Sequence, residues 1–365
     1  MSTPRVLFVG RTRYRLPLSP SLARKFEALG RELEVHVLAA AAPGSALGDR
    51  TFTLVPTLRI RRLDGLAFWL ALPVRVARML RQFRPDAVVC QTAYDAAATL
   101  LARRLARVPA RVVVEVHGDW RTSTRLYGSS SRRLLSGIGD AVASAAVKRA
   151  DAVRTVSPFT AGLVRGLGVE PAADFPAYMD LEPFARAPEP LPERPVALFV
   201  GVLEAYKNVD GLAQAWLLAS ERVPDASLHL VGDGSRTDIA ESLVRAGARW
   251  DRQLASVDVA EAMDGATVLL LPSRSEGMGR VLVEAFCRGR AVIGTRAGSI
   301  PDLVEHGVSG LLVFPDDPKA LADAIERVLT DRALAEQLGM GAREAAGPWL
   351  QTPEEYARRV KELVA

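Results

Sequence analysis

The sequence predicts an α/β protein made of two doubly wound, Rossmann-like domains, and three observations predict it. Short β-branched and aliphatic runs alternate with longer segments of helical period along the whole chain. Such alternation calls for parallel sheets covered on both faces. At 365 residues, with 49% hydrophobic and 24% charged content, the chain is too long for one ordinary core and too ordinary in composition for disorder. A proline-rich stretch, Glu182-Pro-Phe-Ala-Arg-Ala-Pro-Glu-Pro-Leu-Pro-Glu-Arg-Pro195, divides it near the middle.

In the first half, strands are expected at 6–9, 34–38, 87–90, 112–116 and 152–156, with helices near 19–29, 66–82, 96–107 and 136–149. The second half repeats the theme, with strands at 196–200, 227–231, 268–271, 291–294 and 310–313. Its helices fall near 209–220, 237–246, 278–288, 300–305 and 318–329. Ser157 followed by Pro158 reads as an N-cap with proline at the first helical position. The proline-rich stretch reads as an extended linker. The expected organisation is therefore a first domain over 1–185, a second over 186–347, and a helix within 348–365. That helix either packs back on the first domain through Tyr356, Val360 and Leu363 or closes the second.

Composition narrows the function. Cys90 and Cys287 belong to no metal or redox spacing, and His36, His117, His229 and His306 show no ligand spacing, so no metal and reduced thiols in a cytoplasmic chain are expected. The first apolar run ends in Gly10 and is followed by arginines, unlike a signal peptide. The longest apolar run, 66–74, is about half of what crosses a bilayer. Charge is uneven, +12 over residues 1–185 and −7 over 186–365. The first half then either faces something anionic, a lipid headgroup or an acidic acceptor, or carries arginines on solvated helix faces. The segment from Leu66 to Arg84 is amphipathic, with Phe68 and Trp69 at one end and arginines at the other. It lies in a membrane interface or packs on the sheet. Positive charge scattered among aliphatic helices, without interleaved aromatics, argues against nucleic acid as a partner.

The most informative stretch is Pro272-Ser-Arg-Ser-Glu276-Gly-Met-Gly-Arg-Val-Leu-Val-Glu284. With a helix starting near Gly279, Glu284 sits just over one turn inside it and Glu276 on the loop before it. Between them the N–H groups of Met278, Gly279 and Arg280 lack helical partners and carry the positive end of the helix dipole, which makes a phosphate seat. A phosphate flanked by two hydroxyl-accepting acids describes a nucleotide-sugar site. Lys207 follows the strand that ends at Gly201, and meets a diphosphate there as a point charge or is a plain surface lysine. His117, after a strand and before Gly118, contacts a sugar hydroxyl or caps its own loop; Asp119 reads as a cap. Neither Gly10-Arg-Thr-Arg nor Gly232-Asp-Gly234 completes G-x-G-x-x-G, which argues against a nicotinamide enzyme.

Taken together these residues resemble the GT-B glycosyltransferases of the large retaining group 1, or family 4, type. The likeness is strongest from Phe199 to Pro315. It rests on Glu276-x7-Glu284 and on the segment from Ala291 to Val313 that includes Gly298-Ser-Ile-Pro301 and His306-Gly-Val-Ser-Gly310. The resemblance implies two domains facing across a cleft. It implies that Glu284 holds the ribose, that Glu276 contacts the donor sugar, and that Gly277 and the amides of Met278, Gly279 and Arg280 meet the diphosphate. Lys207 beside Gly201 matches the family's basic residue, and His117 the first-domain histidine near the transferred sugar. Two departures stand out. Val202 occupies the place of an arginine, which leaves Arg274 or Arg280 to reach the diphosphate; and the glycine-rich first loop is replaced by Gly10-Arg-Thr-Arg-Tyr-Arg-Leu, where Arg11, Arg13 and Arg15 suit an anionic acceptor.

The expected activity is transfer of a sugar, with retention, from a nucleotide diphosphate sugar to a glycan, glycolipid or small-molecule acceptor. No metal or other cofactor is expected; Glu276, His117 and Lys207 are the catalytic candidates, and localisation is cytoplasmic or peripheral on the inner face of a membrane. Glu276→Ala is expected to remove most turnover and keep the fold. The rival from another class is a non-catalytic nucleotide-sugar-binding partner subunit, kept alive by Val202. A phosphorylase on the same architecture would need a cofactor lysine or a free-phosphate site, and the sequence offers neither.

Overall fold

The computed structural model describes residues 3–57, 61–121 and 130–365. The first seven strands are β1 Arg5–Tyr14, β2 Glu34–Ala41, β3 Phe52–Val55, β4 Ala87–Cys90, β5 Arg111–Val116, β6 Ala152–Thr155 and β7 Ala173–Asp174. They form one parallel sheet in the order β3-β2-β1-β4-β5-β6-β7. Helices α1 Pro20–Glu32, α2 Arg61–Phe83, α3 Ala93–Ala106, α4 Ser130–Arg149 and α5 Pro158–Arg165 connect them. Continuous aliphatic runs such as Ala87-Val-Val-Cys90 are buried on both faces, as a parallel sheet requires.

The second set comprises β8 Val196–Val200, β9 Ser227–Val231, β10 Arg249–Asp251, β11 Val268–Leu271, β12 Ala291–Thr295 and β13 Leu311–Val313. Its order, β10-β9-β8-β11-β12-β13, repeats the winding of the first sheet. The helices are α6 Val209–Arg222, α7 Thr237–Arg245, α8 Ser256–Asp264, α9 Arg280–Cys287, α10 Ile300–Leu303, α11 Pro318–Thr330 and α12 Arg332–Ala345. Phe199, Trp216, Ile293 and Ile325 are among the buried side chains of its core.

The chain divides into one compact unit of 1–178 plus 351–365 and another of 179–350. The division falls before the proline-rich stretch, not within it, for a physical reason. Proline lacks an N–H and leaves neighbouring carbonyls unpaired, and three arginines of the second unit take them up. Arg288 donates to the carbonyls of Arg186 at 2.8 Å and Ala187 at 3.0 Å, Arg290 to Glu189 at 2.7 Å, and Arg332 to Leu191 at 3.0 Å. Arg288 and Arg290 are buried, so residues 186–192 are part of the second unit's structure, which corrects the expectation of a plain linker.

Helix α13, Pro353–Val364, opens with a Thr352/Glu355 capping box and sits in the first unit. Tyr356, Val360 and Leu363 join the core with Leu29, Phe52 and Val113, and its rim pairs Glu354 with Arg31 at 3.1 Å and Lys361 with Glu32 at 2.7 Å.

Candidate functional site

Open parallel sheets bind ligands at the carboxyl ends of their strands, where strand order reverses. In the second sheet that reversal lies between β8 and β11, so residues 201–208 and 272–279 leave adjacent strands. Residues 205–207 make a single 3₁₀ turn. Asn208, at φ 56°, then redirects the chain into α6, its Oδ1 accepting from Gly211 N–H at 3.1 Å. The turn buries Lys207, whose Nζ donates to Oε1 of Glu276; Ser273 Oγ donates to the same oxygen at 3.2 Å. The two side chains are only 11% and 12% exposed, so their pairing is poorly screened by salt.

Glu276 is fixed from its backbone side. Gly298, at φ 57°, comes so near that a Cβ there would stand 2.1 Å from the Glu276 carbonyl oxygen, and Ser299 N–H donates to that oxygen at 3.0 Å. Only glycine tolerates both the left-handed backbone and the approach. Gly201 donates to Val231 O at 2.9 Å and lies beside the Lys207 stem, where an added Cβ would meet Lys207 Cε at an ordinary 3.6 Å. Val202 is 46% exposed.

Arg274 is held by both loops. Its guanidinium donates to Asp210 at 3.0 Å, Asp316 at 2.6 Å and the Ala205 carbonyl at 2.6 Å, while its own N–H donates to Tyr206 O at 2.7 Å. Those contacts clasp the Lys207 loop to the Glu276 loop, with Arg274 as their fastener. Arg280 is exposed at the start of α9.

The segment Gly277-Met278-Gly279 leads into α9, with Gly279 at φ 57° as N-cap and Met278 buried. The N–H groups of Gly279, Arg280 and Val281 have no backbone acceptor among the described residues, as the first turn of a helix dictates. Glu284 follows one turn into the helix. Burial pushes its carboxyl up, opposed by the Arg280 charge.

In the first unit His117 follows β5, and its Nε2 lies 3.1 Å from Glu115 Oε2. Glu115 and Arg154 are direct register partners on β5 and β6. The fully buried Arg154 guanidinium donates to Glu115, and also to the carbonyls of Phe175 at 3.1 Å and Pro176 at 2.8 Å. Burial alone would raise the Glu115 carboxyl, but Arg154 and His117 together hold it well below the usual carboxylate range. The Arg154 guanidinium stacks 4.1 Å over the Phe175 ring and 5.6 Å from the Tyr356 ring of α13. Asp119 accepts from Arg121 N–H at 2.9 Å, the capping role expected of it. Arg11 and Arg13 converge on Asp64 of α2, at 2.9 and 3.4 Å, whereas Arg15 turns to the Pro43 carbonyl at 3.3 Å. The three arginines thus do not form one cluster.

Sequence reasoning missed Ser273, Asp210, Glu115 and Arg154. Glu115 carried a signal, because on a strand it shares a face with His117 two residues on. Among the described residues no group of three or more His, Cys, Asp or Glu side chains has the arrangement of a metal site.

Residues 182–345 match the family profile described as "Glycosyl transferases group 1", and residues 19–173 that described as "Glycosyl transferase 4-like domain". Relatives include a sulfoquinovosyl transferase of Arabidopsis thaliana, 28% identical over 48% of this chain and 35% of that protein. Another is the N-acetyl-alpha-D-glucosaminyl L-malate synthase of Bacillus anthracis, 34% identical over 41% of this chain and 40% of that protein. The matches span well under half the length of these relatives. Among solved structures, a sucrose-phosphate synthase from Thermosynechococcus elongatus shares the fold at TM-score 0.79 and 20% identity, covering 99% of this chain and 98% of that one. Anabaena HepE, solved in complex with UDP and glucose, does so at TM-score 0.70 and 18% identity, covering 98% of each chain.

Proposed function

From matches to two glycosyl transferase profiles, one in each of its units, we propose that the chain is a retaining, metal-independent glycosyltransferase. The donor is a nucleotide diphosphate sugar, the class of compound held by HepE in its complex with UDP-glucose, and the acceptor a glycan, glycolipid or small molecule. The observation that carries this reading is the meeting of Lys207 and Glu276 at the strand-order reversal of the second sheet, beside the free amides that open α9.

In this reading the amides of Gly279 and Arg280 and the Lys207 ammonium take the diphosphate, with Arg280 supplying the cation that Val202 and Arg274 do not. Glu284 accepts from the ribose hydroxyls. As the donor arrives, its phosphate oxygens draw Lys207 away and free the Glu276 carboxylate to accept from hydroxyls of the transferred sugar. Both acids are then committed to binding, so neither serves as nucleophile, and a glycosidase-like double displacement is disfavoured. The acceptor hydroxyl attacks the anomeric carbon on the face that the diphosphate leaves, its proton passing to the departing phosphate oxygen as the bond from carbon to that oxygen breaks, and the leaving group's developing charge meets groups already oriented towards it. His117 is assigned to a hydroxyl of the transferred sugar, oriented by Glu115 and Arg154. The setting proposed is the cytoplasm.

The test is a thermal-shift screen of UDP-, GDP- and ADP-sugars, followed by release of the nucleoside diphosphate from the best binder. Glu276→Gln should lower turnover at least about 100-fold with the fold kept. Absence of affinity for every nucleotide sugar would overturn the reading, and tight binding without turnover would favour the non-catalytic partner subunit.

A further inference from the structure

Helices α2, α3 and α4 lie in one layer on one face of the first sheet. Leu72 and Val76 of α2, Ala96 and Ala102 of α3, and Ala143 and Val147 of α4 share a single buried core. The Phe68 end of α2, which the sequence offers as a membrane contact, is buried in that core at 4% exposure. The opposite side of the layer carries a different pattern. Leu70 and Val74 are 73% and 69% exposed, Leu101 and Leu105 49% and 54%, Ile138 and Val142 67% and 46%. Each pair is spaced i, i+4, so each of the three helices presents a two-residue aliphatic ridge outward. Large aliphatic side chains exposed singly need no explanation, but three such pairs on neighbouring helices do.

The charges on this layer are equally one-sided. Each helix contains a single acid, Asp64, Asp95 or Asp140, and these are only 6%, 0% and 8% exposed. The outer face therefore receives no exposed carboxylate from its own helices. Each helix also ends in basic residues, Arg81 on α2, Arg103 and Arg104 on α3, and Lys148 and Arg149 on α4. In a parallel sheet the connecting helices all run against the strands, so these ends gather along one edge. Asp151 neutralises Arg103 there, and Arg81 donates to the Leu105 carbonyl at 3.0 Å, but Arg104, Lys148 and Arg149 remain exposed.

We propose that this face docks on the surface of an anionic lipid bilayer, the aliphatic ridges entering the headgroup boundary while the basic edge meets lipid phosphates. Apolar insertion and electrostatic attraction are the two contributions that peripheral binding combines. No helix of the described residues is long and apolar enough to cross a membrane, so the contact is peripheral. A nucleic acid would use the basic edge and leave the ridges idle; the ridges select the lipid. The inference stands apart from the donor site and does not depend on it.

The test is co-sedimentation of the full chain with vesicles of neutral phosphatidylcholine and of phosphatidylcholine with about a third phosphatidylglycerol, at low and at physiological salt. Binding is expected on the anionic vesicles alone and should weaken with salt. Leu70→Glu/Val74→Glu should lower it at least ten-fold, as should Ile138→Glu/Val142→Glu on a separate helix, both with unchanged thermal unfolding and unchanged nucleotide-sugar binding. Removing Lys148 or Arg149 should weaken it about five-fold each. Equal binding to neutral vesicles, no loss in either double variant, or displacement of the chain from vesicles by an oligonucleotide that leaves the glutamate variants unaffected would each overturn the proposal.

Discussion

The Lys207–Glu276 pair makes stability and activity separable. Replacing Lys207 with Met keeps the stem but leaves the Glu276 carboxylate, 12% exposed, with only the Ser273 hydroxyl. Removing one partner of a buried pair costs about 3–5 kcal/mol, far more than the pair's net worth. In a unit spanning residues 179–350, that corresponds to a fall in the unfolding temperature of roughly 10 °C. Glu276→Gln, the converse change, leaves the ammonium facing a neutral amide and should cost less. In Lys207→Met/Glu276→Gln no charge is stranded, and stability should return to within about 1 kcal/mol of the parent. The double-mutant cycle, measured by calorimetry and denaturant unfolding, should yield a coupling of at least about 2 kcal/mol. Turnover should not return, because the proposed diphosphate cation and sugar acceptor are both gone. A double variant no more stable than the worse single variant would refute the pairing argument, and a double variant with parental turnover would refute the assignment of both residues.

Burial pushes the Asp95 carboxyl up to about 7, against the pull of its hydrogen bonds with Thr92. A folded-state value above the unfolded one makes this group's contribution full below about pH 4 and lost as pH rises through 7, so Asp95→Asn should flatten the fall in stability between pH 4 and 7 and unfold at a higher temperature than the parent at pH 8. Equal unfolding temperatures at pH 8 would contradict the burial argument. Tyr356→Ala removes a ring that is 2% exposed and lies over Arg154, and should cost about 3–5 kcal/mol in the first unit while leaving the unfolding of the second unit unchanged. Two resolved calorimetric transitions, of which only one shifts, would be the expected record.

Much of the fold was legible because buried parallel strands are written as continuous aliphatic runs. Four strands, at 87–90, 196–200, 227–231 and 268–271, have the bounds their sequence implies. The elements that escaped are those whose residues answer to packing and not to periodicity. β3, β7 and β10 are short edge or near-edge strands of two to four residues, too brief for a pattern. α12 hides behind Gly339 and Gly341, poor helix formers that are present because a Cβ would stand 2.3 Å from Gly289 O and 2.2 Å from Val308 O. The same holds at the candidate site. Glu276, Lys207 and the helix start were readable from local spacing, but the commitment of Arg274 to Asp210 and Asp316 joins residues 64 and 42 positions apart. So does the Glu115–Arg154 contact, which only the sheet register brings about. Local sequence says which chemistry is available, and the strand order says which of it is already taken.

The first unit is closed by a segment that emerges long after the rest of it. Residues 179–350 must be synthesised between Tyr178 and Gln351, a delay of roughly 10–30 s at ordinary elongation rates. Throughout that interval the patch around Leu29, Phe52 and Phe175 has no α13 to cover it, while the second unit, uninterrupted in sequence, is free to fold as it leaves the ribosome. Nascent chains should therefore present that greasy patch to holding chaperones. Supplying α13 as a separate peptide, or relocating it ahead of Arg5 by circular permutation, should shorten the wait without altering the finished protein.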